Sequence, residues 1–241
     1  MRFLEFIRSV IFSLYLFISI PAFGAFIILL PILFFRPSFK YEVARAWSQS
    51  VLLALKIICE IEYEIRGLEN LPKKNCIILC KHSSTWETIA LFSLFPKQTW
   101  VIKKEILLLP IFGQLILLFK PIPIDRSAGK KAVEKVIHYG KKRLKQGLFV
   151  VIFPEGTRTT YPAAGRYGLG GSILSLHSGS PIVPVAHDAG KYWPRNKILK
   201  KKGKIKITIG KPIHPKPNDD PEKIMGIVKT WIEGEIKNSS A

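Results

Sequence analysis

The order of hydrophobic and polar positions divides the chain into an apolar front end and a longer stretch in which strand-like and helix-like segments alternate. Residues Val10 to Phe35 carry no charged side chain, and about 20 apolar residues are enough for a helix to cross a bilayer. A cleavable leader would have a shorter apolar core followed by a small-residue cleavage site. This run ends instead in Leu33-Phe34-Phe35-Arg36-Pro37 and predicts a retained anchor. Pro21, Gly24 and Pro31 interrupt it, and a break at Pro21 would leave pieces of about 20 Å. The pattern therefore allows either one kinked span or a dip into a single leaflet. Arg2 and Arg8 before the run, and Arg36, Lys40 and Arg45 after it, leave its orientation open. Over 38–59, Phe39, Val43, Trp47, Val51, Leu55 and Ile58 recur near the helical period, with Lys40, Glu42, Arg45, Ser48 and Gln49 between them. That predicts an amphipathic helix, packed on the anchor or lying at the interface. Residues 1–60 form the expected anchor, and 61–241 a separate domain.

Tyr63 to Arg66 alternates as a strand. From residue 75, strands are predicted at Cys76–Cys80, Thr99–Ile102, Pro121–Ile124, Leu148–Phe153, Ile182–Ala186 and Lys204–Ile209. Helices are predicted at Trp86–Phe95, Leu107–Leu118 with a break near Pro110, Lys130–Lys145, Gly168–Ser178 and Pro221–Lys237. Such alternation predicts an α/β fold, a sheet with helices on its faces. His138 falls on the charged face of its helix and is expected in solvent.

Charge adds a partner. With 37 basic and 17 acidic residues in 241, the net charge is +20, which attracts an anionic surface. The apolar front end selects a membrane over nucleic acid. Ten Lys and Arg residues between Lys191 and Lys216, with no acidic residue among them, predict a surface facing anionic headgroups. Three cysteines give no disulfide framework. Cys76 and Cys80 are expected to be buried thiols, and no metal is required.

The chemistry gathers at strand ends. Lys81-His82-Ser83-Ser84-Thr85-Trp86-Glu87-Thr88 joins a strand to a helix; there His82 can take a proton from a hydroxyl while Glu87 fixes the imidazole tautomer. In Phe153-Pro154-Glu155-Gly156-Thr157-Arg158, Gly156 lets backbone approach a ligand, Thr157 offers a hydroxyl and Arg158 a fork that matches phosphate. Glu155 could orient Arg158 or accept from a substrate hydroxyl. Pro123-Ile124-Asp125-Arg126 repeats the arginine at a strand end.

Taken together, His82…Glu87, Gly113…Arg126, Phe153–Arg158 and Pro181-Ile182-Val183-Pro184-Val185, with Lys103-Lys104-Glu105 ahead of the second, resemble the ordered motifs of the bacterial lysophospholipid acyltransferase family. The match departs at Glu87, where most members carry Asp. The resemblance implies a glycerol-3-phosphate acyltransferase-like mixed sheet flanked by helices. It implies acyl transfer from a thioester, acyl-CoA or acyl-carrier protein, to the sn-2 hydroxyl of lysophosphatidic acid, with no other cofactor. His82 and Glu87 would be catalytic; Lys104, Arg126, Glu155, Gly156, Thr157 and Arg158 would bind substrate. Backbone amides near Gly156, or at the helix start after His82, would stabilise the oxyanion. The implied location is a bacterial cytoplasmic membrane with the site facing the cytosol, with membrane lipid as partner and no nucleic acid. Another lysolipid acceptor is the alternative, whereas a non-catalytic basic surface protein would leave His82, Glu87, Arg126 and Arg158 without a role.

Overall fold

The computed structural model describes residues 2–29, 36 and 38–240. Its strands are β1 (Ile61–Arg66), β2 (Ile77–Cys80), β3 (Gln98–Lys103), β4 (Ile122–Ile124), β5 (Phe149–Ile152), β6 (Ile182–His187) and β7 (Gly203–Ile209). They form one sheet in the order β1-β7-β6-β2-β5-β3-β4. Every pairing is parallel except that of β6 with β7. Parallel neighbours need crossovers. These are built on α3 (Trp86–Leu94), α4 (Phe112–Leu117), α5 (Lys130–Lys145) and α6 (Gly170–Ser178). The long helices α1 (Arg2–Leu29) and α2 (Phe39–Cys59) precede the sheet, and α7 (Pro221–Ser240) follows it.

Alternation along the central strands feeds two halves of the core. Cys76, Ile78 and Cys80 face Val51, Leu55 and Trp86 on the α1–α4 side. Ile77 and Leu79 face Val136, Leu174 and Val228 on the side of α5, α6 and α7. With both faces covered, β2, β5 and β6 are buried throughout, which is why they read as unbroken apolar runs. All three cysteines are buried free thiols, and His138 is exposed.

Three sequence expectations need correction. First, α1 runs through Pro21 without a break, about 42 Å at 1.5 Å per residue; the rest of the apolar run, 30–35, lies outside the described residues. Its path is held by α2, with which it forms an antiparallel hairpin. Trp47 Nε1–H donates to Ser19 Oγ at 3.0 Å, Tyr15 Oη–H to Ser50 Oγ at 3.1 Å, and Arg8 pairs with Glu60. Second, Ser48, placed on the polar face of α2, is buried and donates to the Ile89 carbonyl at 2.7 Å. Third, Lys200 does not belong to an exposed basic surface. It is 3 % exposed, and its Nζ donates to Ser13 Oγ and the Ile198 carbonyl, both at 3.0 Å. The same ammonium lies 4.8 Å from the centre of the Trp193 ring and 5.2 Å from that of Phe12, a desolvated cation–π arrangement.

Candidate active site

Parallel sheets bind ligands in the crevice beyond the carboxyl ends of their strands. Here β4, β3, β5, β2 and β6 lie side by side. Their ends carry Arg126, Lys104, the Phe153–Arg158 turn, His82 and His187 in that order. The topology thus sets in one row residues that are distant in the chain.

His82 Nδ1–H donates to Glu87 Oε1 at 2.8 Å. The same oxygen accepts the amides of Ser83 at 3.1 Å and Ser84 at 3.0 Å. Ser84 Oγ accepts the Trp86 amide at 3.1 Å and donates to the Trp193 carbonyl at 2.6 Å. Ser84 and Glu87 thus take up the free amides just ahead of α3, with the carboxylate at the positive end of the helix. A glutamate reaches back from this position and meets both tasks, taking up those amides and holding the imidazole. With Nδ1 carrying the proton, Nε2 keeps its lone pair for a substrate. The ring is fixed flat on Phe153, with centroids 3.9 Å apart and planes at 13°.

Glu87 is fully buried. Burial opposes its ionisation, but the N–H edge of His187 and the bonds from His82 and Ser84 outweigh it and hold the carboxyl below its usual range. A depressed folded-state value means that its stabilising contribution is complete above the unfolded pKa and is lost only as acid takes pH down through the folded one. Glu87 Oε2 has no hydrogen-bond partner and lies 3.6 Å from His187 Nε2. His187 Nε2–H donates to the Lys81 carbonyl at 2.9 Å, and Nδ1 accepts the Ala189 amide at 3.2 Å.

Beneath His82 lies a buried ionic cluster. Lys81 Nζ has three donors and uses all of them, on Glu155 Oε1 at 2.8 Å, Glu233 Oε1 at 2.9 Å and the Ala163 carbonyl at 3.0 Å. Tyr167 Oη–H donates to Glu233 Oε1 at 2.8 Å. Glu155 Oε2 accepts the His82 amide at 2.8 Å, and Glu155 Oε1 also accepts from Thr159 Oγ1 and the Gly165 amide. Glu155, expected to meet substrate, is instead enclosed by protein donors and anchors the backbone of His82.

The arginines are placed differently. Arg126 and Arg158 line a cavity of about 230 Å³ together with His82 and Phe153. Among the described residues Arg126 makes no ion pair, and burial pulls its guanidinium below the usual value, against the pull of Glu105. Arg158 Nε is buried without a partner. Among the described residues neither guanidinium has an anionic partner; Arg126 is exposed and Arg158 half-buried. Beyond them the cavity is lined by Leu16, Ile20, Trp47, Phe92, Phe112 and Ile116. Lys104 stands outside it, paired with Asp125 at 2.5 Å, and Thr157 is exposed. Gly156 has φ +69°, a left-handed turn that suits glycine. Lys81, His187, Tyr167 and Glu233 were missed from sequence. Only Lys81 and His187, each ending a buried strand, carried any signal.

A family model described as Acyltransferase matches residues 62–188. A 1-acyl-sn-glycerol-3-phosphate acyltransferase of Pseudomonas aeruginosa is 41 % identical over 86 % of this chain and 81 % of that one. One of Bacillus subtilis is 32 % identical over 67 % of this chain and 79 % of that one. The crystal structure of the 1-acyl-sn-glycerophosphate (LPA) acyltransferase PlsC from Thermotoga maritima has the same fold, with a TM-score of 0.85 over 100 % of this chain and 98 % of that one at 18 % identity. The His82–Glu87 pair, the Arg126 strand end and the Phe153–Arg158 turn all fall within the matched segment, and the chain belongs to the acyltransferase family.

Proposed function

We propose that the chain transfers a fatty acyl group from an acyl thioester, acyl-CoA or acyl-carrier protein, to the sn-2 hydroxyl of lysophosphatidic acid, giving phosphatidic acid. The observation that carries this reading is the His82–Glu87 pair on a cavity that is cationic at one end and apolar beyond. His82 Nε2 takes the hydroxyl proton as oxygen attacks the thioester carbonyl. Glu87 stabilises the imidazolium, which then returns that proton to the departing thiolate. The nucleophile comes with the lipid, so the site needs no serine. Neither step calls for a metal or a further cofactor.

The oxyanion needs preorganised donors. Ser83 and Ser84 amides are used by Glu87, and the Gly156 amide by the Phe153 carbonyl at 3.0 Å. Among the described residues the amides of Thr157 and Arg158 have no partner, which makes them the donors of choice. Arg126 and Arg158 hold the acceptor's phosphate, and the apolar lining takes its hydrocarbon.

The acceptor comes from a bilayer. α1 exposes Phe3, Leu4, Ile11, Leu14, Phe17 and Ile18, and the loop before α4 exposes Leu108, Leu109 and Ile111. So much uncovered apolar surface favours lipid contact. Lys200 and Trp193 meet α1 near Phe12, α2 meets it at Ser19, and Leu115 meets it at Gly24. Flanked along that length by protein, α1 lies against the domain with one face in the near leaflet, and the site faces the cytosol.

An assay with lysophosphatidate, offering acyl-CoA and acyl-carrier protein in parallel, tests the reading; formation of no phosphatidate from either donor would overturn it. Arg158→Ala is expected to weaken recognition of the phosphorylated acceptor by about 1.5–3 kcal/mol, the range for a hydrogen bond to a charged group. The measurement is kcat/KM for lysophosphatidate against monoacylglycerol, and an unchanged ratio would remove Arg158 from the phosphate site.

A further inference from the structure

A second cavity, of about 340 Å³, lies behind the Phe153–Arg158 turn. Its lining includes Thr160, Tyr161, Lys191, Arg195, Lys197 and Lys201, with four cations and no carboxylate. It has no lining residue in common with the cavity at His82 and takes none from α1, α2 or α4. The two nevertheless share a wall. Arg195 donates to the Arg158 carbonyl, and the Thr159 amide to the His82 carbonyl at 2.8 Å. On the other side, a Cβ at Gly190 would fall 2.8 Å from Tyr161 Cβ and 2.9 Å from Ser83 Oγ, so this loop touches the residue next to His82. Thr160 is two residues from Arg158, at most about 7 Å along the chain.

The basic run from Lys191 to Lys216 is thereby divided by the fold. Lys200 is buried, and Lys204 is paired with Glu64 at 2.9 Å. Among the described residues Lys191, Lys197 and Lys201 have no carboxylate within 4.0 Å, and they converge with Arg195 on one concavity. Four like charges in a cavity, of which only Lys191 feels a nearby carboxylate, that of Asp188, repel one another, and their neighbourhood favours an anion with several oxygens. A concave site suits a discrete phosphate better than a plane of headgroups does. Its lining comes from the loops after β5 and β6, although the neighbouring Trp193 and Lys200 pack on α1 at Phe12 and Ser13.

We propose that this pocket binds the phosphate of the donor's carrier, the phosphorylated pantetheine arm common to acyl-CoA and acyl-carrier protein. The proposal rests on the acyl-transfer reading above. It assigns Lys197 and Lys201 to donor selection, whereas Arg126 and Arg158 serve the acceptor. The pocket holds the carrier, and the thioester reaches His82 past the Arg158–Tyr161 wall.

The test uses the full-length protein in detergent, the double variant K197Q/K201Q, and three donors: acyl-CoA, acyl-carrier protein and an acyl-N-acetylcysteamine thioester, which has no phosphate. Both lysines are exposed, so folding is not at stake. The ratio of kcat/KM for a phosphate-bearing donor to that for the phosphate-free one is expected to fall about tenfold or more in the double variant. A fall in either phosphate-bearing arm supports the site, and the arm that falls further identifies the carrier it favours. An equal change on all three donors overturns the assignment. So does an unchanged donor ratio accompanied by lost co-sedimentation with vesicles of anionic phospholipid, which would make the patch a headgroup surface. Wild-type protein inactive with every thioester would refute the acyl-transfer reading itself, and the assignment with it.

Discussion

Replacement of His82 by alanine is expected to lower turnover on lysophosphatidate by about 10²–10⁴-fold, the usual contribution of a positioned general base. In the proposed reaction the imidazole, oriented by its Nδ1–H bond to Glu87, is the group that takes the proton of the hydroxyl. Neither Arg126 nor Arg158 can replace it, because a guanidinium remains protonated. On the proposed reading the loss should fall on kcat, since the acceptor's phosphate and hydrocarbon would be held by other residues of the cavity. Folding should survive, because the buried bonds below His82 come from its amide and carbonyl, not from the ring. Single-turnover rates together with thermal unfolding decide the matter. A variant that folds and retains near-wild-type kcat would show that His82 is not the base.

The second large effect is expected on stability. Lys81→Met removes the one cation from between Glu155 and Glu233, and Lys81 and Glu155 have fully buried side chains. Removing one partner of a buried ion pair costs about 3–5 kcal/mol, because the remaining charge is left uncompensated. For a chain of this size that corresponds to a fall in Tm of about 10 °C. Activity should fall as well, since Glu155 Oε2 holds the His82 amide. Glu233→Gln is the milder control, for it keeps an acceptor for Tyr167 and leaves Lys81 its bond to Glu155. A wild-type Tm for Lys81→Met would mean that the cluster is solvated and does not support the site.

The parts legible in the sequence were those written locally. His82 and Glu87 are five residues apart and bond to each other at the start of one helix, and Arg126 and Arg158 follow apolar runs that read as strands. The interior cluster was not legible because it closes across the fold: Lys81 meets Glu155 74 residues away and Glu233 152 residues away. Nothing near Glu233 distinguishes it from the other charged positions of an amphipathic helix. Glu155 misled for the same reason, since its neighbours in sequence suggest a ligand whereas its neighbours in space are donors of the protein. Lys200 was indistinguishable from the lysines around it. Only packing against Phe12 and Trp193 separates it from them.

That lysine bears on how the protein can be handled. A cut at residue 60 looks natural in the sequence, but it would strip Lys200 of Phe12 and of the Ser13 hydroxyl, and Trp193 of the ring packed edge-on against it at 5.4 Å. The Trp193 carbonyl in turn accepts from Ser84, whose hydroxyl takes the Trp86 amide where the helix that carries Glu87 begins. A trimmed, water-soluble fragment would thus begin with a damaged catalytic loop. The front helix is a wall of the fold, and preparations that keep it in micelles or lipid discs keep the geometry of the His82–Glu87 loop too.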